Sequence, residues 1–468
     1  MASALIGFAA LLALCFMGFR VGFATLVVGF VGFAMQRGWG ASLAMVGQQV
    51  FHDSMNYNLS VIPLFILMGV LIVHARISQD LYDAAYSALG KFRGGLALAT
   101  VLAAGGFSAV CGSTLATAAT MAKVAMPPMR NYKYSNRLAT GTIAAGGTLG
   151  IMIPPSVPLV IYGIIAEQDI GLLFIAGVLP GLLLVTLFLM VVGVVVRIDP
   201  KAAPSAPPLD PERRKEAIRG TMPVLGLFVL VLGGIYTGAF TATEAAGIGS
   251  FGAAVIAIAR GHMRSLSEWR LCLVDATTTT ATIFMVLLGA IVFSQFINLS
   301  GMPYDLLDYV DEWQLSPTGL VLFVCAIAIV MGMVFEAIGI LVLLVPVFLP
   351  ALSISGVDMV WFGILVVLVS EIGLITPPIG MNVFVVKSVL PEVPLGKIFR
   401  GVAPYIVALV TGLILVLAEY RPVGRQGRAV RPGLCSVSGV RSLQGLMLHR
   451  SDRVQSRRNL EPGAFADR

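Results

Sequence analysis

Two Pro-Pro pairs, each a few residues behind a glycine within an apolar run, mark the segments of this sequence best suited to chemistry: GTLGIMIPPSVP at 147–158 and SEIGLITPPIGM at 370–381. Proline has no amide hydrogen and clashes with the preceding turn, so a helix that reaches such a pair must break. Carbonyls from Gly147 to Ile151 then lose intrahelical donors, and the partially negative end of the half-helix suits a cation. A second half-helix begins after each break, with Ser156 near one start and Asn382 near the other. Such N-termini receive anions, which makes Pro154, Pro155, Ser156, Pro377, Pro378 and Asn382 candidate contacts for an anionic group.

A hydroxyl-rich segment lies upstream of the first pair, GGFSAVCGSTLATAAT at 105–120. Ser108, Ser113, Thr114 and Thr117 supply oxygens that suit a hard cation such as sodium. The same small residues also serve simple helix packing, with hydroxyls bonding their own backbone. The second half answers with Glu336, Glu371 and Thr376. An acid in the middle of a membrane helix costs about 2.5–3.5 kcal/mol, so it faces a cavity or a partner. Glu336 reads as a cation holder with Thr376 lending an oxygen, or both acids pair within the bundle. Glu244, after TGAFTATE, reads as a helix N-terminal acid. GIGSFG at 247–252 lies inside an apolar helix and follows no strand, so it is no nucleotide site. The four histidines are scattered and no nucleophile–base grouping emerges, which argues against an enzyme.

Positioning these segments requires a membrane fold. Of 468 residues, 57% are hydrophobic and only 12% charged, about half the charge of an ordinary soluble domain. The net charge of +7 belongs to the tail: removing the ten Arg and three acids of 420–468 from totals of 31 and 24 leaves 21 of each sign. Nucleic acid is therefore not an expected partner, whereas a lipid bilayer is. None of the five cysteines forms a CxxC pair, and the first apolar stretch lacks a basic leader region.

At an offset of 223 residues the halves superimpose. Gly150 meets Gly373, Pro154 and Pro155 meet Pro377 and Pro378, and Ser113 meets Glu336. Loops at 75–94 and 123–137 carry Arg76, Lys91, Arg93, Lys123, Arg130, Lys133 and Arg137, whereas their counterparts at 298–317 and 350–358 carry only acids. Conversely 166–170 lacks basic residues and its counterpart 387–400 holds Lys387, Lys397 and Arg400. Basic loops stay cytoplasmic, so the repeats are inverted. Segments 95–125 and 318–349 must then enter and leave on one side, as re-entrant helical hairpins.

The expected fold is thus an all-α polytopic membrane protein: an inverted repeat with two re-entrant hairpins and two Pro-Pro-broken helices. The first repeat spans 1–197, with its broken helix at about 138–165. A cytoplasmic linker follows at 198–219, then the second repeat at 220–419, with its broken helix at about 359–386. The Arg-rich 420–468 reads as a disordered or non-native extension.

In FSAVCGSTLATAATMAKVAMPPM, RLATGTIAAGGTLGIMIPPSVPLVIYGIIAEQDIGLLFIAGVLPG and GVDMVWFGILVVLVSEIGLITPPIGMNVFVVK the chain resembles the large membrane subunit of tripartite ATP-independent periplasmic (TRAP) transporters, over about residues 4–417. The resemblance implies a sodium-driven elevator of the ion transporter superfamily type, in the bacterial inner membrane. It implies a small membrane subunit, a periplasmic solute-binding protein and an organic acid as substrate, and no cofactor beyond the coupling Na+. It further implies sodium sites where each hairpin tip meets its broken helix: Ser108, Ser113, Gly147, Thr148 and Gly150, then Gly332, Glu336, Gly373 and Thr376. Thr114, where the family often has a second Ser, keeps a hydroxyl in the first set. A stand-alone sodium/anion symporter of related architecture is the alternative reading.

Overall fold

A computed structural model describes residues 2–75, 77–205, 207 and 210–419 of the chain, so the 420–468 extension lies outside the described residues. These residues form nineteen α-helices, two short 3-10 turns and no strand. Seven of the helices are long and apolar enough to cross a bilayer, and one bent pair makes an eighth span. The protein is a multi-pass membrane protein.

One group of helices comprises α1 (Ala2–Phe16), α2 (Val21–Arg37), α3 (Trp39–Met55) and α4 (Val61–His74). A short polar helix, α5 (Ile77–Leu89), leads into the first hairpin, α6 (Gly95–Cys111) and α7 (Thr114–Asn131). The broken pair α8 (Asn136–Met152) and α9 (Val157–Ile165) follows, and α10 (Ile170–Ile198) closes the first half. The second half brings α11 (Pro211–Tyr236), α12 (Ala242–Ala259), α13 (Leu266–Leu299) and a second short polar helix, α14 (Met302–Glu312). Its hairpin is α15 (Pro317–Gly332) with α16 (Ala337–Ile354), its broken pair α17 (Met359–Ile375) with α18 (Met381–Val389), and its last helix α19 (Leu395–Ala418).

The repeat is visible in these boundaries. A shift of 223 carries Thr114 onto Ala337 and Asn136 onto Met359, the first residues of α16 and α17. It also carries the end of α5 onto the end of α14, extending the repeat to two helices that the sequence reading left as loops. The 198–219 linker is shorter than expected. Asp210 and Pro211 open α11, so the charged stretch ERRKEAIRG is helical and runs straight into the apolar span.

Caps fix the ends of the elements. Ser113, Ser135, Ser156 and Asp169 each accept an amide hydrogen in the first turn of α7, α8, α9 and α10. Glu244 closes a capping box with Thr241 at the start of α12, the structural role read for it from sequence.

Helices α1–α4 and α11–α13 pack as one wall, with α2 lying along α13. There a Cβ on Gly22 or Gly29 would come within 2.7 Å of backbone atoms of α13. The hairpins and broken pairs form a second body in which the repeats interlock: α7 packs on α18, α16 on α9, and α8 on α19. Residues 360–375 of α17 are buried on every side, as befits the centre of that body. Helix α5 ties its end of the molecule to the wall through Asp83, whose carboxylate accepts from Arg213 Nη2 at 3.1 Å, and through Asp80, paired with Arg260.

Candidate functional site

Each hairpin tip rests on the broken helix of its own repeat. In the first, Gly112 adopts a left-handed φ of 62° to turn the chain, and Ser113 then caps α7 by accepting from Ala116 N at 3.4 Å. Gly150 of α8 faces that tip so closely that a Cβ would lie 2.9 Å from the Ser113 carbonyl carbon. One on Gly147 would lie 2.7 Å from the Ala118 methyl. In the second, the Cβ of any residue at Gly373 would fall 2.4 Å from the Gly332 Cα, and Gly380 N donates to the Met333 carbonyl at 3.4 Å.

The breaks leave oxygens in reserve. Gly150 and Ile151 would bond the amides four residues on, but those belong to Pro154 and Pro155. Ser156 Oγ takes up the Ile151 carbonyl at 2.5 Å. In the other half Thr376 N donates to the Gly373 carbonyl at 3.0 Å, and Thr376 Oγ1 to the Ile372 carbonyl at 2.5 Å. Both Pro-Pro peptide bonds are cis.

The named hydroxyls differ in what they already do. Thr148 Oγ1 donates to the Ala145 carbonyl at 2.7 Å, leaving its lone pairs. Ser108 is fully buried and its Oγ has no hydrogen-bond partner among the described residues. Thr114 is 5% exposed and lines the cavity described next. A buried hydroxyl without a partner forfeits the hydrogen bonds it made in water, and a coordinated cation would restore them. The first set of oxygens therefore fits a small hard cation. Glu336 takes the place of Ser113 as the residue ahead of α16, yet its side chain caps nothing.

Both tips open onto one cavity of about 510 Å³. Cys111 to Ala116 and Glu336 to Ile338 line one side, with Ile151, Val157 and Pro158 from the first break. The wall helices supply the other: Arg20 ahead of α2, the α4 face ending at His74, and Asp275, Thr278, Thr279 and Thr282 of α13. His74 Nε2 and Asp275 Oδ2 are 3.1 Å apart across that wall.

The six residues assigned to substrate sit deeper or elsewhere. Ser156 and Asn382 are buried; Asn382 Nδ2 donates to the Ala144 carbonyl at 3.4 Å and Ser156 caps α9. Pro154 and Pro155 are buried, Pro377 and Pro378 exposed, and none of the six lines the cavity. Arg20, His74 and Asp275, by contrast, escaped the sequence reading. Each is a lone polar residue at the edge of an apolar run, and only tertiary structure gathers them. Glu371 is fully buried, with neither carboxylate oxygen bonded among the described residues.

Residues 6–421 match the family model described as the tripartite ATP-independent periplasmic transporter, DctM component. The chain belongs to this family. It is a TRAP large permease subunit, a transporter component and not an enzyme. Among its relatives, the C4-dicarboxylate TRAP transporter large permease protein of Pseudomonas aeruginosa is 35% identical over 80% of this chain and 87% of its own length. The sialic acid TRAP transporter large permease protein of Vibrio cholerae is 32% identical, over 86% of this chain and 94% of its own. The ectoine TRAP transporter large permease protein of Halomonas elongata is 29% identical, over 87% and 95%. In fold, the TRAP subunit resembles the YdaH transporter of Alcanivorax borkumensis at a TM-score of 0.57 and 14% identity, covering 81% of this chain and 88% of that one. It also resembles MtrF of Neisseria gonorrhoeae at 0.57 and 12%, covering 83% and 85%.

Proposed function

We propose that this TRAP large permease carries out sodium-coupled uptake of an organic acid across the bacterial inner membrane, by an elevator movement of the hairpin body against the wall helices. The observation that carries this reading is the pair of hairpin tips. They occupy equivalent positions ahead of α7 and α16, each seated on a helix broken at Pro-Pro, and both open onto the same cavity. Sodium is the coupling ion rather than a resident cofactor. Ser108, Ser113, Thr114, Gly147, Thr148 and Gly150 would hold one ion, and Gly332, Glu336, Gly373 and Thr376 another.

Coupling follows from linkage. If sodium orders the tips, the acid binds more tightly to the ordered form, and the acid strengthens sodium binding by the same factor. Each sodium entering down an inside-negative potential of about 100 mV contributes roughly 2.3 kcal/mol. Two sodiums against one monoanion therefore leave a net electrical drive. A small membrane subunit and a periplasmic binding protein would complete the system, the latter delivering the acid.

The test is uptake of radiolabelled organic acid into proteoliposomes holding the chain with its small subunit, with and without binding protein and a sodium gradient. Uptake that needs both is the expected result. Sodium-driven uptake indifferent to binding protein would replace this reading with that of a stand-alone symporter.

A further inference from the structure

The cavity is lined by four groups that bear or can bear charge, Arg20, His74 and Asp275 on the wall side and Glu336 across from them. His74 and Asp275 engage one another at 3.1 Å. Glu336 is assigned above to a cation. That leaves Arg20, whose side chain makes no hydrogen bond or ion pair among the described residues. Arg20 closes the turn between α1 and α2, and the next turn places Gly22 against the backbone of Met285 and Val286, well inside the 34-residue α13. Around it Phe16, Met17, Phe19 and Phe23 are exposed apolar surface. Arg20 is itself exposed and lines the cavity, where its guanidinium is available to an anionic group.

The opposite side of the cavity points to an anion too. The first turns of two 18-residue helices, α7 and α16, face it. Helix N-termini carry partial positive charge and free amide hydrogens. At α16 no side chain caps the first turn. At α7 Thr114, 5% exposed, lines the same space.

From this juxtaposition we infer that Arg20 is a substrate-specificity residue: the fixed cation on the wall that binds a carboxylate of the acid while the two hairpin tips hold the rest. A planar guanidinium forks onto a carboxylate with two parallel hydrogen bonds, which a lysine does not reproduce. Because Arg20 belongs to the wall and the tips to the other body, it contacts the acid only when the two bodies face one another as here. The inference rests on the transport reading above.

The experiment separates the two. Uptake of radiolabelled succinate, pyruvate, N-acetylneuraminate and gluconate by the wild-type system identifies a transported acid. That acid is then titrated against the purified membrane subunits at saturating sodium, reading the ligand-induced rise in Tm for wild type, R20K, R20Q and R20M. A lost charge-assisted bond raises the half-saturating concentration about 10- to 100-fold in R20Q and R20M, and less in R20K. R20M covers the case in which R20Q does not fold. Wild-type affinity in the neutral variants would overturn the inference and leave the transport reading standing. Transport of none of the four acids would overturn both. Repeating the titration in phosphatidylcholine vesicles distinguishes the acid from a lipid phosphate, since an effect confined to anionic lipid would also overturn the inference.

Discussion

The two hairpin tips share a backbone plan and differ in chemistry. The first is short, turns at Gly112, is capped by a serine and sits on a break whose two prolines are buried. The second spans 333–336, has an uncapped glutamate at the serine's position, and sits on a break whose prolines are exposed. In each half the helix–tip contact is made through glycine, so the two places retain close approach while the ligand set changes from hydroxyls to a carboxylate. Under the proposed sodium coupling, a neutral site and an acidic one facing one cavity would hold their cations with unequal strength, the carboxylate contributing the stronger charge interaction.

The largest effect is expected where that contact is closest. In Gly373→Ala the new methyl would meet the Gly332 Cα at 2.4 Å, backbone against backbone, with no flexible side chain to give way. Overpacking of this kind costs about 1–3 kcal/mol or more, and here it separates the tip from the break. Transport should be abolished, with a lowered Tm. Gly150→Ala, at 2.9 Å from Ser113, should reduce transport by less. Equal losses in both would remove the ranking of the two seats.

Next comes the charge. Glu336→Gln keeps the shape and hydrogen-bonding capacity of the side chain and removes its charge. The sodium concentration for half-maximal uptake should rise about tenfold or more, the scale of a charge-assisted contact. Ser113→Ala should raise it less, and should also lose about 0.5–1 kcal/mol of stability through the missing cap of α7. A Ser113→Ala effect on sodium larger than that of Glu336→Gln would invert the comparison.

Ser108 sharpens it further, because its hydroxyl is buried without a partner. Taking such a group away usually costs nothing in stability, since no bond is broken and an unsatisfied oxygen is removed. Ser108→Ala should therefore leave the sodium-free Tm unchanged or slightly raised, while the stabilisation added by sodium shrinks. A lower Tm without sodium, and an unaltered sodium increment, would mark Ser108 as packing alone.

Much of this was readable before any coordinates. Pro-Pro breaks, the 223-residue offset and the glycines beside them survive as local pattern because proline and glycine act on the backbone directly. The hairpins at 95–125 and 318–349 emerge close to where charge and length place them. Helices α5 and α14 were not legible. Their sequences, ISQDLYDAAYSAL and MPYDLLDYVDE, are short and polar, and their helicity depends on packing against longer neighbours. The cavity wall was not legible either. Arg20, His74 and Asp275 lie 54 and 201 residues apart in sequence, and no periodicity links them. Asn382 and Ser156 were read as ligand-facing from their place after each break. In the structure Ser156 caps α9 and Asn382 Nδ2 donates to α8, while Asn382 Oδ1 has no partner among the described residues, details that position after a break does not reveal.

The smallest effect should come from the far end of the sequence. The ten arginines of 420–468 follow α19, the last described helix. The basic loops at 75–94 and 123–137 carry the positive-inside signal of the membrane body without them. The repeat itself is complete without them: α19 matches α10, and its buried face, from Ile398 to Val416, ends before the extension begins. Truncation after Pro422 should leave both sodium half-saturation and maximal uptake within about twofold of wild type at equal membrane expression, since surface changes away from such features fall within about 0.5 kcal/mol. A loss of uptake confined to assays with binding protein present would instead place the extension at the docking face, where its charge would steer an acidic partner rather than serve either hairpin.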